Sequence, residues 1–211
     1  MTRSRRSWQP YSERAAEFAR RYESVSFERV HRPWSHLLAD RGGRALDVGA
    51  GSGRDAVGLA DRGFEVVAVE PAAGLRAEGR RRHPSPRIRW IDDALPELSA
   101  VRNLELRFGL ILLSAVWMHV PPAQRSGAVE RLADLLAPAG LLVVTLRHGE
   151  PDRGRSMHPV DGGGLTELCR AHALEPLAIP HPAADDPYGR IAVGWTIHVF
   201  RPSDDLRETE R

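Results

Sequence analysis

Short apolar runs recur along the chain, each separated from the next by a stretch of helical spacing. Residues 45–48, 65–69, 88–91, 107–113 and 141–146 read as strands, bounded by turn residues and apolar enough to be covered on both faces. Residues 55–61, 72–81 and 126–136 read as the helices between them, the first closed by Gly63 in a left-handed position and the last running out toward Pro138. That alternation predicts an α/β fold with a largely parallel sheet. A helix around Leu165 precedes two final strands, 175–179 and 194–200, joined by a Pro- and Asp-rich loop over 181–189. Residues 10–40 read as helical, with Pro33 either kinking the segment from 27 to 39 or starting a new helix. Residues 147–163 form a polar, Gly- and Pro-rich passage long enough to be a functional loop.

One junction in this pattern carries chemistry. Residues 44–55, Arg-Ala-Leu-Asp-Val-Gly-Ala-Gly-Ser-Gly-Arg-Asp, run from the first strand through Asp47, Gly49, Gly51 and Gly53 into a helix beginning near Arg54. Glycine permits positive φ and lets a ligand press against the backbone. In a parallel sheet such a turn sits at the carboxyl edge, where cofactors bind. The next strand ends in Glu70, roughly twenty residues on, where an acid can accept hydrogen bonds from two ribose hydroxyls. A dinucleotide fingerprint would need its third glycine at position 54, which is Arg54. The Gly-x-Gly-x-Gly led by Asp47 instead resembles motif I of the class I S-adenosylmethionine-dependent methyltransferases. A tight turn with no ligand is the plain alternative, and the spacing to Glu70 argues against it.

The resemblance covers residues 42–200. It implies a Rossmann-like three-layer sandwich: a mostly parallel seven-stranded sheet of order 3-2-1-4-5-7-6, strand 7 antiparallel, helices on both faces. It divides the chain into an N-terminal helical lid (1–41), a methyltransferase domain (42–202) and a frayed tail (203–211). The implied cofactor is S-adenosyl-L-methionine, leaving S-adenosyl-L-homocysteine as product. Its amino-acid half would lie along Gly49, Ala50 and Gly51, with Gly53 and Arg54 opening the helix and Asp47 holding the ammonium directly or through water. Glu70, followed by Pro71, would take the ribose, and Asp92, Asp93 and Ala94 the adenine. Which aspartate turns inward is open, and either also suits a helix cap or a solvated turn. Ser114 and Ala115 would pack along the cofactor. Gly109 stands where an Asp often follows the Phe opening the fourth strand, a departure expected to matter little because that Asp is usually structural.

Methyl transfer from a sulfonium is an in-line displacement, for which alignment can supply roughly 7–11 kcal/mol. It requires neither metal nor covalent nucleophile. A base assists when the acceptor is a hydroxyl, and His119 is the first candidate, His158 the second. A structural hydrogen-bonding role for His119 remains open beside it. Trp117 and Met118 suit either core or pocket wall. Arg147, Arg153 and Arg155, with His148, could clamp an anionic acceptor, or form a solvated loop whose arginines reflect composition alone. Tyr11 and Tyr22 would face the cofactor from the lid, with core packing equally open to Tyr22. After the fourth strand stands Ser114-Ala-Val-Trp, not the Asn/Asp-Pro-Pro-aromatic sequence with which DNA amino-methyltransferases hold a flipped base. The paired-glutamate loop of protein arginine methyltransferases and the carboxylate cluster of metal-dependent catechol-type enzymes are absent too. A small-molecule acceptor with an oxygen or nitrogen nucleophile, anionic or a small peptide, is what remains. The alternatives are a non-catalytic S-adenosylmethionine-binding partner protein and a nicotinamide-dependent oxidoreductase, the latter disfavoured by Arg54.

Bulk composition narrows the setting. A chain of 211 residues, 42% hydrophobic and 27% charged, reads as one soluble globular domain. No apolar run reaches the ~18 residues of a membrane span, and the basic amino terminus lacks the apolar core of a signal peptide. Cys169 is the single cysteine, so no intrachain disulfide forms, and a reducing cytoplasmic location is expected, with Cys169 as a small buried residue. Every basic residue outside histidine is arginine, a bacterial high-GC composition, and the formal net charge is only +2. Basicity is therefore no nucleic-acid footprint, and Arg80-Arg81-Arg82 reads as a solvated helix end in preference to a phosphate site. Monomer and homodimer are both open.

Overall fold

The apolar runs assemble into one sheet. The computed structural model describes residues 4–39, 41–150 and 155–203, so Arg153 and residues 204–211 of the expected tail lie outside it. In chain order the elements are α1 (Ser4–Glu13), α2 (Ala15–Glu23), α3 (Phe27–His31), a 3-10 turn (Ser35–Leu38), β1 (Gly43–Val48), α4 (Arg54–Ala60), β2 (Phe64–Val69) and α5 (Ala73–Arg82). There follow β3 (Ile88–Ile91), α6 (Ser99–Arg102), β4 (Phe108–Leu113), α7 (Arg125–Leu135), β5 (Leu136–His148), α8 (Gly162–Ala171), β6 (Leu174–Leu177), β7 (Ala183–Asp185) and β8 (Gly194–Pro202).

The strand order is β3-β2-β1-β4-β5-β8-β6. β1 to β5 pair in parallel, while β8 runs antiparallel to both β5 and β6. This is the order 3-2-1-4-5-7-6, with β8 in the seventh place. The extra strand is β7, three residues inside the expected 181–189 loop that pair with Thr196, Trp195 and Gly194 of β8. β5 is longer than its apolar stretch because it begins where α7 ends, and Leu136 already pairs with Phe108.

Alternation along the strands divides the core by face. On one face Leu46, Val48, Val67, Val69, Ile111 and Val144 pack with α7 and α8 through Leu132, Leu165 and Cys169. On the other, Ala45, Val66, Ala68, Leu110 and Val143 pack with Leu59 of α4 and with Phe27, Trp34 and Leu38 of the N-terminal segment. A third cluster joins Tyr11, Ala15 and Phe18 to Ala72 and Leu75 beside α5, laying α1 and α2 against the carboxyl edge of the sheet. Burial pushes the Cys169 thiol up to about 12, as suits an inert core residue. The arginine run ends α5, with Arg81 and Arg82 both paired to Glu78. Among the described residues no helix is long and apolar enough to cross a membrane.

Candidate active site

The carboxyl ends of the parallel strands open into a crevice of about 360 Å³. Its floor is the glycine turn. The N–H groups of Gly49 and Ala50 both donate to the Val69 carbonyl, at 2.8 and 2.9 Å, stitching the turn to β2. Gly49 has φ +72°, and a Cβ there would sit 2.5 Å from Val116 Cγ2, so both conformation and space demand glycine. The Tyr22 ring lies across Gly51, 3.5 Å from where a Cβ would project.

Glu70 closes this floor. Its Oε2 accepts the Gly51 N–H at 2.8 Å and its Oε1 the Ala72 N–H at 2.7 Å. Burial pushes its carboxyl up to about 7, the two backbone bonds opposing that shift. Asp47 lies beneath the turn, not in the crevice wall, because its alternation on β1 points it inward. Burial, reinforced by Asp55 and Glu70 nearby, raises its carboxyl well above the usual carboxylate range, and its Oδ2 has no protein partner. A positive-φ cradle, a buried carboxylate oxygen awaiting a donor and an acid at the end of β2 fit a cationic amino-acid nucleoside.

The two aspartates after β3 separate. Asp93 faces the crevice with Ala94, and its carboxylate accepts the N–H groups of Ala94, Ala100 and Val101 at 2.9, 2.8 and 3.1 Å, anchoring α6. Asp92 points outward and pairs with Arg76 at 2.9 Å. Pro71, Ser114 and Ala115 line the same wall, and Ala115 (φ +60°) donates its N–H to Thr145 Oγ1 at 2.8 Å, tying the end of β4 to β5. Gly53, at φ +94°, turns away against Trp90 and His83.

Beyond Ala115 a short 3-10 turn, Trp117–His119, presents His119. Its Nδ1 lies 2.8 Å from the Ser156 carbonyl oxygen, which can only accept, so Nδ1 carries the proton. Nε2 then offers a lone pair, and it lies 3.1 Å from the Tyr11 hydroxyl. Burial, with positive Arg155 alongside, pushes His119 down to about 4. Arg155 stands over the rings of Tyr11 and Phe18, 5.3 and 4.7 Å from their centroids. Arg147, buried, lines the crevice and donates to the carbonyls of Gly149 and Glu150.

Three further expected residues stand elsewhere. Trp117 is in the core beneath Arg125, while its neighbour Met118 takes the wall position. His148 alternates away from Arg147 on β5 and meets Thr196 Oγ1 at 2.8 Å. His158 lines a separate neighbouring cavity with His148, its N–H bonded to the Met118 carbonyl.

The far wall was not read from sequence. Asp186 collects the Arg190 N–H, Arg190 Nε and Nη2, and Trp195 Nε1, winding residues 186–190 into a tight loop that presents Tyr188. Arg54 reaches Tyr188 Oη at 3.2 Å and the Tyr22 carbonyl at 3.4 Å while gripping Asp55 through two bonds of 2.7 and 2.9 Å. Asp55 lies 2.9 Å from His31 Nε2, and Trp34 Nε1–H donates to His31 Nδ1. Burial alone would raise Asp55, but Arg54 and then His31 override it and hold the carboxyl far below its ordinary value. The signal was Asp-Pro-Tyr-Gly, a turn sequence that says nothing of what it faces.

A sheet of this order, with the Gly-x-Gly-x-Gly turn after β1 and an acid ending β2, defines a class I methyltransferase. Comparison with known proteins agrees: the methyltransferase domain family matches residues 18–178, and the chain belongs to it. It is 30% identical over 182 residues to the demethylmenaquinone methyltransferase of Renibacterium salmoninarum, spanning 84% of this chain and 70% of that one. Among solved structures, the 1,6-didemethyltoxoflavin-N1-methyltransferase of Burkholderia thailandensis, with bound 1,6-didemethyltoxoflavin and S-adenosylhomocysteine, shares the fold. Its TM-score is 0.63 at 24% identity, covering 91% of this chain and 90% of that one. The N-methyltransferase NodS of Bradyrhizobium japonicum WM9 gives a TM-score of 0.65 at 16% identity, over 84% and 96%. The chain is thus an S-adenosylmethionine-dependent methyltransferase.

Proposed function

We propose that the enzyme methylates an oxygen or nitrogen nucleophile on a small anionic acceptor bound between His119 and the Tyr188–Trp195 wall. The observation that carries this reading is His119: a base of fixed tautomer, opening on the same crevice as the glycine turn and Glu70. The cofactor would lie over Gly49, Ala50 and Gly51, its ammonium toward Asp47, its ribose on Glu70, its adenine beside Asp93 and Ala94. Its sulfonium supplies the electrophilic methyl; the protein's part is to align the acceptor, exclude water and receive the acceptor's proton. Arg147 and Arg155 supply positive charge around the acceptor, and Tyr188 and Trp195 supply flat apolar surface, which supports an anionic acceptor. The helices α1 and α2 act as the lid. A cytoplasmic location belongs to this proposal, supported by the buried thiol of Cys169.

The test is transfer of a labelled methyl from S-adenosylmethionine to acceptors of the relatives, demethylmenaquinone in reduced form and 1,6-didemethyltoxoflavin, extended to hydroxylated aromatic acids. Calorimetry should show binding of S-adenosylhomocysteine and none of NADH. His119→Ala should lower turnover by roughly 10²-fold while leaving cofactor affinity nearly unchanged. Equal loss of both, or loss of neither, removes His119 from the mechanism.

A further inference from the structure

The Tyr11 hydroxyl is the feature that the cofactor and acceptor sites leave unexplained. Its ring belongs to the apolar cluster with Phe18, Ala15, Ala72 and Leu75, tilted at 35° against Phe18 with centroids 5.1 Å apart, and a phenylalanine would fill that place equally well. The hydroxyl instead reaches out of the cluster to a residue 108 positions away and lies 3.1 Å from His119 Nε2. The direction of that bond follows from the other side of the ring. Because Nδ1–H is committed to the Ser156 carbonyl, Nε2 can only accept, so Tyr11 donates. A phenol oxygen that donates one hydrogen bond can also accept one. Trp8 holds the imidazole edge-on at 5.9 Å, fixing the ring against both partners.

Resting on the acceptor site proposed above, the geometry points to Tyr11 as a catalytic residue: its hydroxyl relays the acceptor's proton to His119. As the acceptor atom attacks the methyl carbon, its X–H bond breaks and that proton passes to the Tyr11 oxygen. Tyr11's own proton passes to His119 Nε2. The X–C bond forms, the C–S bond breaks, and the electron pair of C–S stays on sulfur as a thioether. Tyr11 ends as it began, and the positive charge lost by the sulfonium appears on the imidazolium, whose Nδ1–H still meets Ser156. The reaction needs no further co-reactant.

Tyr11→Phe tests this without disturbing the cluster. With reduced demethylmenaquinone or 1,6-didemethyltoxoflavin as acceptor, kcat should fall roughly 10²-fold. Acceptor KM and S-adenosylhomocysteine affinity should stay within about twofold, and Tyr11→Phe/His119→Ala should be no slower than either single variant, as expected for groups acting as one unit. An unchanged kcat, or a rise in KM alone, overturns the relay and leaves Tyr11 a contact residue. If neither acceptor is turned over, the ¹⁵N signals of His119 decide. An Nδ1–H tautomer whose Nε2 resonance moves in Tyr11→Phe supports the relay; identical spectra overturn it. Failure of the unaltered enzyme to bind S-adenosylhomocysteine would be a separate result, sinking the cofactor site and not the relay.

Discussion

Glu70 and His119 show how burial alone redirects two ordinary side chains. At pH values below about 7 Glu70 holds a proton that the unfolded chain would not hold above its usual 4.5. Native protein therefore binds the extra proton between those values, and this contribution to stability falls as pH rises from about 4.5 to 7. The proposed contact of Glu70 with the ribose runs the other way, since the ionised carboxylate has more lone pairs to offer. Affinity for S-adenosylhomocysteine should rise with pH and level off above about 7, as calorimetry across that range would register. Glu70→Ala should weaken binding about tenfold or more and flatten that dependence, because Gly51 N–H and Ala72 N–H lose their acceptor as well. His119, pushed down to about 4, is already deprotonated at neutral pH. At saturating S-adenosylmethionine, the acid limb of kcat/KM for the acceptor should accordingly lie near 4 and not near the ordinary 6.5; a limb at 6.5 would assign the proton to another group.

At the scale of elements, the glycine turn is the most constrained segment. Gly49→Ala meets a positive φ and Val116 Cγ2 together, so it should abolish measurable cofactor binding and lower the melting temperature. Adding Val116→Ala removes the steric half of the problem only, and partial recovery is the expected outcome. A quieter test lies at α8, where Asp161 accepts the N–H groups of Gly163 and Gly164 at 3.1 and 2.8 Å. Asp161→Ala should destabilise the fold slightly, readable as a lower urea midpoint with activity intact. Long elements were legible because strand and helix periods repeat over enough residues to be distinguished. α6 and β7 were not, having four and three residues and hence no period. Asp93 illustrates the matching limit at the site: the chain marks an acid after β3, but only the fold shows that its carboxylate holds α6 while facing the crevice.

Across the whole molecule, a buried chain of contacts runs from Trp34 through His31, Asp55 and Arg54 to Tyr188, joining the N-terminal segment, the glycine turn and the far wall. Its members are spread over most of the sequence, and for that reason no local pattern announced them. Arg54 was legible as the residue that rules out a dinucleotide fingerprint, yet its partner Tyr188 sits 134 positions on. Asp55→Asn leaves the Arg54 charge buried without its counter-ion and should destabilise the fold by about 3–5 kcal/mol in urea unfolding. Because the Asp55 carboxyl is held far below its ordinary value, the stability it contributes is present above the unfolded carboxylate range and is lost as pH falls into strong acid.

The fastenings of α1 and α2 have one more consequence. Tyr11 on His119, and Arg54 on the Tyr22 carbonyl, secure the covering helices through groups that border the reaction space. Swinging those helices aside to swap spent nucleoside for fresh would pull Tyr11 off His119 at the same stroke. On the proposal that these helices are the lid and Tyr11 the relay, loading and reacting would be mutually exclusive states of a single molecule, and the alkylating reagent would not be primed while water can reach it.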